Sequence, residues 1–342
     1  LGSLGGSVAP GFSNLNALNG AVDAQSAPFI LNAASRRQPE RLPGYAGSIG
    51  AVAPLAPMAN PNPFGLFVSA SYLTGGPGAD IPYTAGGVTA GLDYRVSQNL
   101  TIGAALTYIE DNRSADGMKL DSSAVAPALY GRFAMNRAFI DGYLGYAFTD
   151  GKSRRFIPFG DEVLTAEASP RSGQFMAGAV AGVKLDGTAF GMDRALPAGL
   201  SLTPFVGFDI AQMNINGYTE RGAGALAIAL AARQFTDARL SAGLELAFDL
   251  PLAGGVLTPS LKASVTQRVG DRIDNADAYY AIAPDLPFRL TGPANARTYG
   301  TLGAGLGFRV NDAVTAQIAY QADISGGGFH DNRLTAKAQV RF

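Results

Sequence analysis

Hydrophobic and polar residues alternate over long stretches of this chain, most clearly in its last twelve residues. There Leu334, Ala336, Ala338, Val340 and Phe342 fall on one face of an extended chain, while cations and polar residues fall on the other. Because successive side chains of a β-strand point to opposite sides, this stretch predicts a two-faced strand. A soluble sandwich shares the pattern, but cations opposite an aliphatic row favour a strand with lipid outside and water inside.

Twelve segments carry this alternation or a strand-like composition, and most have 9 to 15 residues. They are 65–73, 84–96, 99–110, 121–133, 137–149, 171–185, 199–212, 235–248, 255–268, 296–310, 312–324 and 331–342. Tight turns join some of them, whereas 111–120, 150–170, 213–234 and 269–295 are long, polar or glycine-rich connections. Long strands and this alternation of connection lengths predict a twelve-stranded antiparallel transmembrane β-barrel over residues 64–342.

The alternation also assigns side chains to the two faces of such a barrel. The charged residues predicted to face the pore are Asp93, Arg95, Glu245, Lys262, Arg309, Lys337 and Arg341. Large aromatic residues near strand ends predict the girdles at the two membrane interfaces: Tyr72, Tyr94, Tyr108, Tyr146, Tyr299, Tyr320 and Phe342. A soluble barrel needs its larger apolar side chains inside, so this parity indicates a membrane.

Residues 1–63 differ from the rest of the chain and predict a separate unit. A mildly polar helix is expected at about 16–37, followed by a proline-rich connector. Such a helix lacks an apolar stripe for an ordinary core but suits a polar pore, which about 30 Å of helix would cross. Its predicted pore-helix residues are Asn16, Asn19, Asp23, Gln25 and Asn32.

Composition narrows the possible classes of protein. The chain has 44 Gly, no Cys and only 15% charged residues, which is unusual for a soluble enzyme of 342 residues. Its net charge of −1 gives no reason to expect a nucleic-acid partner. No apolar run approaches the length of a transmembrane helix. The first residues also lack the basic start and apolar core of a signal peptide, so we expect a fragment or a mature product.

Several stretches resemble the C-terminal translocator domain of autotransporters, the type V secretion proteins. Asn216–Leu226 is similar to a Gly-Phe/Tyr-Thr-Glu loop segment of that family, and Leu202–Phe205 and Leu257–Ser260 to its Leu-x-Pro strand entries. Leu129–Arg132 and Asp141–Tyr146 fit the family as well. The resemblance covers about 65–342, together with the pore helix before it.

This resemblance implies a function. It implies an outer-membrane translocator of a Gram-negative bacterium that exports or anchors its own N-terminal passenger, as a monomer surrounded by outer-membrane lipids. It also implies that Phe342 is part of the signal that the barrel-assembly machinery reads. No cofactor, metal or catalytic residue is expected.

Other interpretations stay open. A porin-like channel for small solutes would use the same barrel, and an outer-membrane hydrolase could use the single histidine, His330, as a base. Asn14, Asn16 or Asn19 could release a passenger by cyclisation, although asparagine is also a good helix N-cap. The acidic residues Asp271, Asp274 and Asp277 lack the spacing of a calcium-binding loop.

Overall fold

The computed structural model describes residues 63–75, 83–115, 117–186, 199–271, 275–291, 297–310, 314–325 and 328–341. Twelve long strands make up most of this part of the chain. They are β1 (Phe64–Gly75), β2 (Tyr83–Arg95), β3 (Leu100–Ala115), β4 (Met118–Met135), β5 (Ala138–Phe159), β6 (Arg171–Val183), β7 (Leu200–Ile215), β8 (Arg233–Phe248), β9 (Gly255–Arg268), β10 (Thr298–Arg309), β11 (Val314–Ser325) and β12 (Gly328–Arg341). None of the described helices is long and apolar enough to cross a membrane.

Each long strand pairs antiparallel with its neighbours in sequence, and the last strand pairs with the first. In the closing pair Leu66 lies opposite Val340 and Phe67 opposite Gln339. The sheet is therefore a closed barrel, in which every long strand has two partners and no edge stays open to lipid. The predicted twelve-stranded antiparallel barrel is confirmed, while the helix predicted at about 16–37 lies outside the described residues.

The outer face of the barrel is apolar. Leu92, Leu106, Leu129 and Leu261 are each more than half exposed although they are large and hydrophobic. Between the girdles the outward positions of the described strands carry no charged residue. This inversion of the usual burial pattern is stable only where lipid replaces water around the strands.

The two membrane interfaces are marked by outward aromatic side chains, and the girdle prediction is confirmed for five of its six tyrosines. Tyr72, Tyr94, Tyr108, Tyr146 and Tyr320 are all exposed on the outer face. Tyr299 is an exception: it shares the inward face of β10 with Thr301, and its hydroxyl lies 3.5 Å from Nη1 of Arg239. Its assignment to the girdle is wrong, because a strand-end position does not by itself fix the face.

Inside the barrel, aromatic rings lie directly on glycines of neighbouring strands. A Cβ atom at Gly91 would be 2.1 Å from the ring of Phe67, and one at Gly103 would be 2.1 Å from the ring of Tyr130. These positions require glycine because the rings approach the backbone closely. The two rings also meet edge to face, with centroids 6.2 Å apart.

The two ends of the barrel differ. At one end the turns are short, and Asn136 takes a left-handed φ of 54° in the tight turn from β4 to β5. At the other end strands continue beyond the apolar belt, and β5 forms a hairpin with the short strand Glu162–Ala168. The long connections are thus largely β-structure rather than irregular loops, because paired strands satisfy their backbone groups outside the membrane as well.

Candidate functional site

The candidate site is the lumen with the mouth at the long-loop end, which in outer-membrane barrels faces outward. The structure places Asp93, Glu245 and Lys337 on the inner face, where each is less than a tenth exposed. By strand register Arg95, Lys262 and Arg309 lie on the same inner face and are half-buried. The side chain of Arg341, the residue Phe342 and the pore-helix residues Asn16, Asn19, Asp23, Gln25 and Asn32 lie outside what the structure describes.

The lumen has two unlike walls. On the wall formed by β3 to β7, small and apolar side chains form one buried cluster and alternate with polar residues and paired charges such as Arg113–Asp111. We call it the apolar wall. The cluster members on these strands are Ala105, Ile109, Ala124, Ala126, Ala128, Tyr130, Phe139, Tyr143, Ala147, Met176, Val180, Phe205 and Ala211. Sequence reasoning missed this wall, since alanines at alternate positions carry little periodic signal.

The wall formed by β8 to β12 is polar and positively charged, and we call it the basic wall. Its described inward cations are Arg233, Arg239, Lys262, Arg268, Arg309, Arg333 and Lys337, and its inward acids are Asp237, Glu245, Asp323 and Asp331. Seven cations minus four acids leave +3 on this wall. The lumen therefore presents a positively charged surface opposite a nearly neutral, apolar one.

Asp93 is the centre of a polar network near the closing strands. The amide Nε2 of Gln339 donates to Oδ2 of Asp93 at 3.1 Å, and the hydroxyl of Tyr130 donates to Oδ1 at 2.8 Å. Lys337 lies above the ring of Phe67, with its Nζ 5.1 Å from the centroid. A buried carboxylate is stable here because it accepts hydrogen bonds from two strands that are far apart in sequence.

Asp237 organises a second network on the basic wall. One carboxylate oxygen lies 3.0 Å from Nε of Arg268, and the other lies 3.5 Å from Nε of Arg239. These three side chains are almost fully buried. Asp209 lies directly opposite Arg239 in the β7–β8 ladder, so two carboxylates and two cations meet in this network and balance each other.

Two stretches that carry the family resemblance meet on the apolar wall. Arg132 and Asp141 lie directly opposite each other on β4 and β5, and Nε of Arg132 is 3.4 Å from Oδ1 of Asp141. The guanidinium also covers the ring of Phe139, 5.4 Å from its centroid. The pair is absent from the charged residues predicted to face the pore, although the alternation of both strands assigns it inward.

A second, four-stranded sheet lies at the outer mouth, and we call it the rim sheet. Its strands are Tyr218–Thr219, Ile228–Leu230, Asn275–Tyr280 and Phe288–Thr291, from the β7–β8 and β9–β10 connections. Its buried side chains Ile228, Leu230, Ala276, Ala278 and Leu290 form one cluster with Met118 at the tip of β4. The rim sheet therefore packs segments from the β7–β8 and β9–β10 connections against the tip of β4.

A buried ion pair attaches the rim sheet to β5. Nε and Nη2 of Arg155 contact the two carboxylate oxygens of Glu220 at 3.0 and 2.5 Å, and the side chains are only 7% and 1% exposed. Arg155 also donates to the carbonyl of Leu226 at 3.0 Å, and Glu220 accepts the backbone N–H of Ile228 at 3.0 Å. Glu220 belongs to the Gly-Tyr-Thr-Glu segment 217–220, so this family-like segment has a definite structural role.

The remaining residues considered for chemistry have other surroundings. Asp271 accepts the backbone N–H of Thr236 at 2.9 Å, and Asp277 pairs with Arg289 at 3.0 Å. Among the described residues no group of acids and histidine has the arrangement of a metal site. His330 belongs to β12, and its side chain lies outside what the structure describes.

Comparison with known proteins gives a consistent picture. A family model described as the autotransporter β-domain matches residues 62–321. The structure is similar to the translocator domain of the autotransporter NalP from Neisseria meningitidis, with a TM-score of 0.65 and 16% identity over 82% of this chain and 88% of that one. It is also similar to the β-domain of the Bordetella autotransporter BrkA, with a TM-score of 0.59 and 15% identity over 82% of this chain and 100% of that one. No curated protein matches the chain in sequence.

Proposed function

The chain belongs to the autotransporter family as its β-domain, and from this premise we propose that its lumen carries an N-terminal passenger to the cell surface. A β-domain of this family is an outer-membrane translocator of Gram-negative bacteria, and the family match over residues 62–321 is the observation that carries the function. The porin-like and hydrolase alternatives are not favoured. The closed ladder of twelve strands supports a monomeric barrel, because no strand edge is left for a second copy.

Surface display tests this function directly. An epitope fused before Leu1 is expected on the surface of cells, where antibody and external protease reach it. The same epitope inserted at Ser97–Gln98, in the short β2–β3 turn, serves as the matched control and should stay inaccessible. An N-terminal epitope that remains periplasmic while the barrel is inserted would argue against export and for the porin-like alternative.

We propose further that residues 1–63 form a separate linker unit, and that its segment 16–37 lies in the lumen as a helix. The two walls support this, since the segment offers both apolar residues and the polar Asn16, Asn19, Asp23, Gln25 and Asn32. Asp23 would then face the basic wall, because opposite charges attract more strongly where water is partly excluded. A helix about 10 Å across would leave little room for ions in a twelve-stranded barrel.

Ion conductance tests the position of this segment. Removal of residues 1–40 should raise the single-channel conductance in planar bilayers several-fold, while the barrel keeps the shift in gel mobility on heating. If the intact chain already conducts strongly and the deletion changes nothing, residues 16–37 do not occupy the lumen.

We also propose that the barrel-assembly machinery reads the terminal strand through Phe342. The outward row of β12 supports this, because Leu334, Ala336, Ala338 and Val340 are apolar and the alternation in the sequence extends to Phe342. Phe342→Asp should lower the amount of assembled barrel in the outer membrane, while the purified variant refolds in detergent as well as the parent. Normal outer-membrane levels of the variant would contradict the assignment.

A further inference from the structure

A polar pocket lies in the extracellular part of the wall, where β5, strand Glu162–Ala168 and residues 218–221 meet. We call it the rim pocket, and its volume is about 600 Å³. Its lining combines three cations, one carboxylate and four hydroxyl side chains: Lys152, Arg154 and Arg221; Glu167; and Ser153, Ser169, Tyr218 and Thr219. This set of donors fits an anion rather than an apolar molecule.

The rim pocket is positively charged although the whole chain is not. Three cations minus one carboxylate leave +2 in the lining, whereas the chain carries −1. Glu167 lies 3.6 Å from Arg154, and both are about half exposed or more. Lys152 and Arg221 are exposed and form no ion pair within the described part of the chain. The excess charge is therefore local and accessible to a ligand.

Neighbouring carboxylates do not cancel this excess. Asp121, which lies opposite Lys152 in the β4–β5 ladder, is 3.4 Å from Nζ of Lys119. Asp150 is 2.9 Å from Nε of Arg171. Each of these acids thus has a cation of its own beside the pocket.

The position of the rim pocket identifies the source of its anion. Lys152 and Arg154 share the outward face of β5 with Tyr146 and Phe148 of the aromatic girdle. Lys152 lies four residues beyond Phe148, about 13 Å along the strand and roughly 10 Å along the membrane normal for a strand tilted by about 40°. This is the level at which lipid headgroups meet the barrel.

We infer that the rim pocket binds the phosphate groups of an outer-leaflet glycolipid, namely the lipid A part of lipopolysaccharide. Lys152, Arg154 and Arg221 contact the phosphate oxygens, and the exposed hydroxyls of Ser169 and Thr219 donate to the sugar and phosphate oxygens. The acyl chains of the same lipid lie against Tyr146 and Phe148 below. This inference depends on the location of the barrel in the outer membrane but not on passenger export. A negative result in the surface-display experiment and a negative result in the lipid-binding experiment can therefore be told apart.

Native mass spectrometry of the full chain with purified lipid A tests the inference. We expect the protein to retain diphosphorylated lipid A and to bind dephosphorylated lipid A at least about tenfold more weakly, because each basic contact near a membrane surface contributes to binding. The variant K152Q/R154Q/R221Q should lose the difference between the two lipids. Lys152→Gln alone should weaken binding of diphosphorylated lipid A several-fold. Because Lys152 is exposed and forms no ion pair within the described part of the chain, this single variant should fold normally, and it tests the inference even if the triple variant does not fold. Arg289→Gln, which changes an exposed arginine of the rim sheet, is the matched control and should bind like the parent.

Three results would overturn the inference. One is equal retention of the two lipids by the parent. Another is full competition by millimolar inorganic phosphate, which would make the pocket a site for free anions. The third is a combined result: an acidic peptide binds the parent protein at the rim pocket, and K152Q/R154Q/R221Q retains lipid A as well as the parent does. That result would make the pocket a contact for an exported chain.

Discussion

The barrel wall and the rim sheet are both antiparallel, but they expose opposite kinds of side chain. In the wall Leu129 and Leu261 are 62% and 61% exposed, while Glu245 is 1% exposed on the inner face. In the rim sheet Ile228 and Leu230 are buried, and the Arg289–Asp277 pair is 66% and 61% exposed. One chain therefore follows two burial rules within a short distance along its strands.

The difference teaches that the surrounding solvent, and not the backbone, sets the parity of a strand. Both sheets satisfy their backbone groups by the same ladder hydrogen bonds. Lipid around the wall favours apolar side chains outside, whereas water above the membrane favours them inside. The change occurs beyond the aromatic girdle, where Lys152 and Arg154 follow Phe148 on the same face of β5.

The first prediction breaks the attachment of the rim sheet to the wall. Arg155→Ala should destabilise the rim sheet by about 3–5 kcal/mol, because it leaves the carboxylate of Glu220 buried without its ion-pair partner. Limited proteolysis of detergent-solubilised protein should then cut within 216–232, while the barrel keeps its heat-dependent gel shift. The double variant Arg155→Met with Glu220→Leu should be less sensitive, since it removes both charges. Uniform resistance of Arg155→Ala to protease would show that apolar packing alone holds the rim sheet.

The second prediction tests the burial rule of the wall itself. Leu261→Arg places a cation on the lipid face near mid-membrane and should cost about 2–4 kcal/mol, which lowers the yield of folded barrel in lipid vesicles. Lys262→Gln changes the next residue, which faces the lumen, and should leave the yield unchanged. Equal folding of both variants would contradict the assignment of the two faces.

The third prediction concerns an exposed ion pair of the rim sheet and has the smallest expected effect. Arg289→Ala removes a pair whose members are both mostly exposed, so the change in stability should be less than about 1 kcal/mol. The urea midpoint of protease resistance measures it, with Arg155→Ala as the reference. A loss as large as that of Arg155→Ala would mean that exposure does not govern these pairs.

The sequence by itself determined the number and approximate positions of the twelve strands, most of their inner and outer positions and the family. These properties depend on local alternation, and residues such as Leu261 and Lys262 show it within two positions. The same alternation placed Asp93, Glu245 and Lys337 inside. The alternation did not distinguish the apolar wall from the basic wall. The apolar wall is rich in alanine, and alanine occurs on both faces of the strands, so it gives no periodic signal.

Only the tertiary structure decided which distant residues meet. The hydrogen bond from Gln339 to Asp93 joins residues 246 positions apart, and it exists because β12 closes on β1 with one register. The pair of Arg155 and Glu220 spans 65 positions, and the rim sheet combines segments from two separate connections. No periodic signal records such contacts, since they follow from barrel closure and from the apolar side chains that short strands must bury above the membrane.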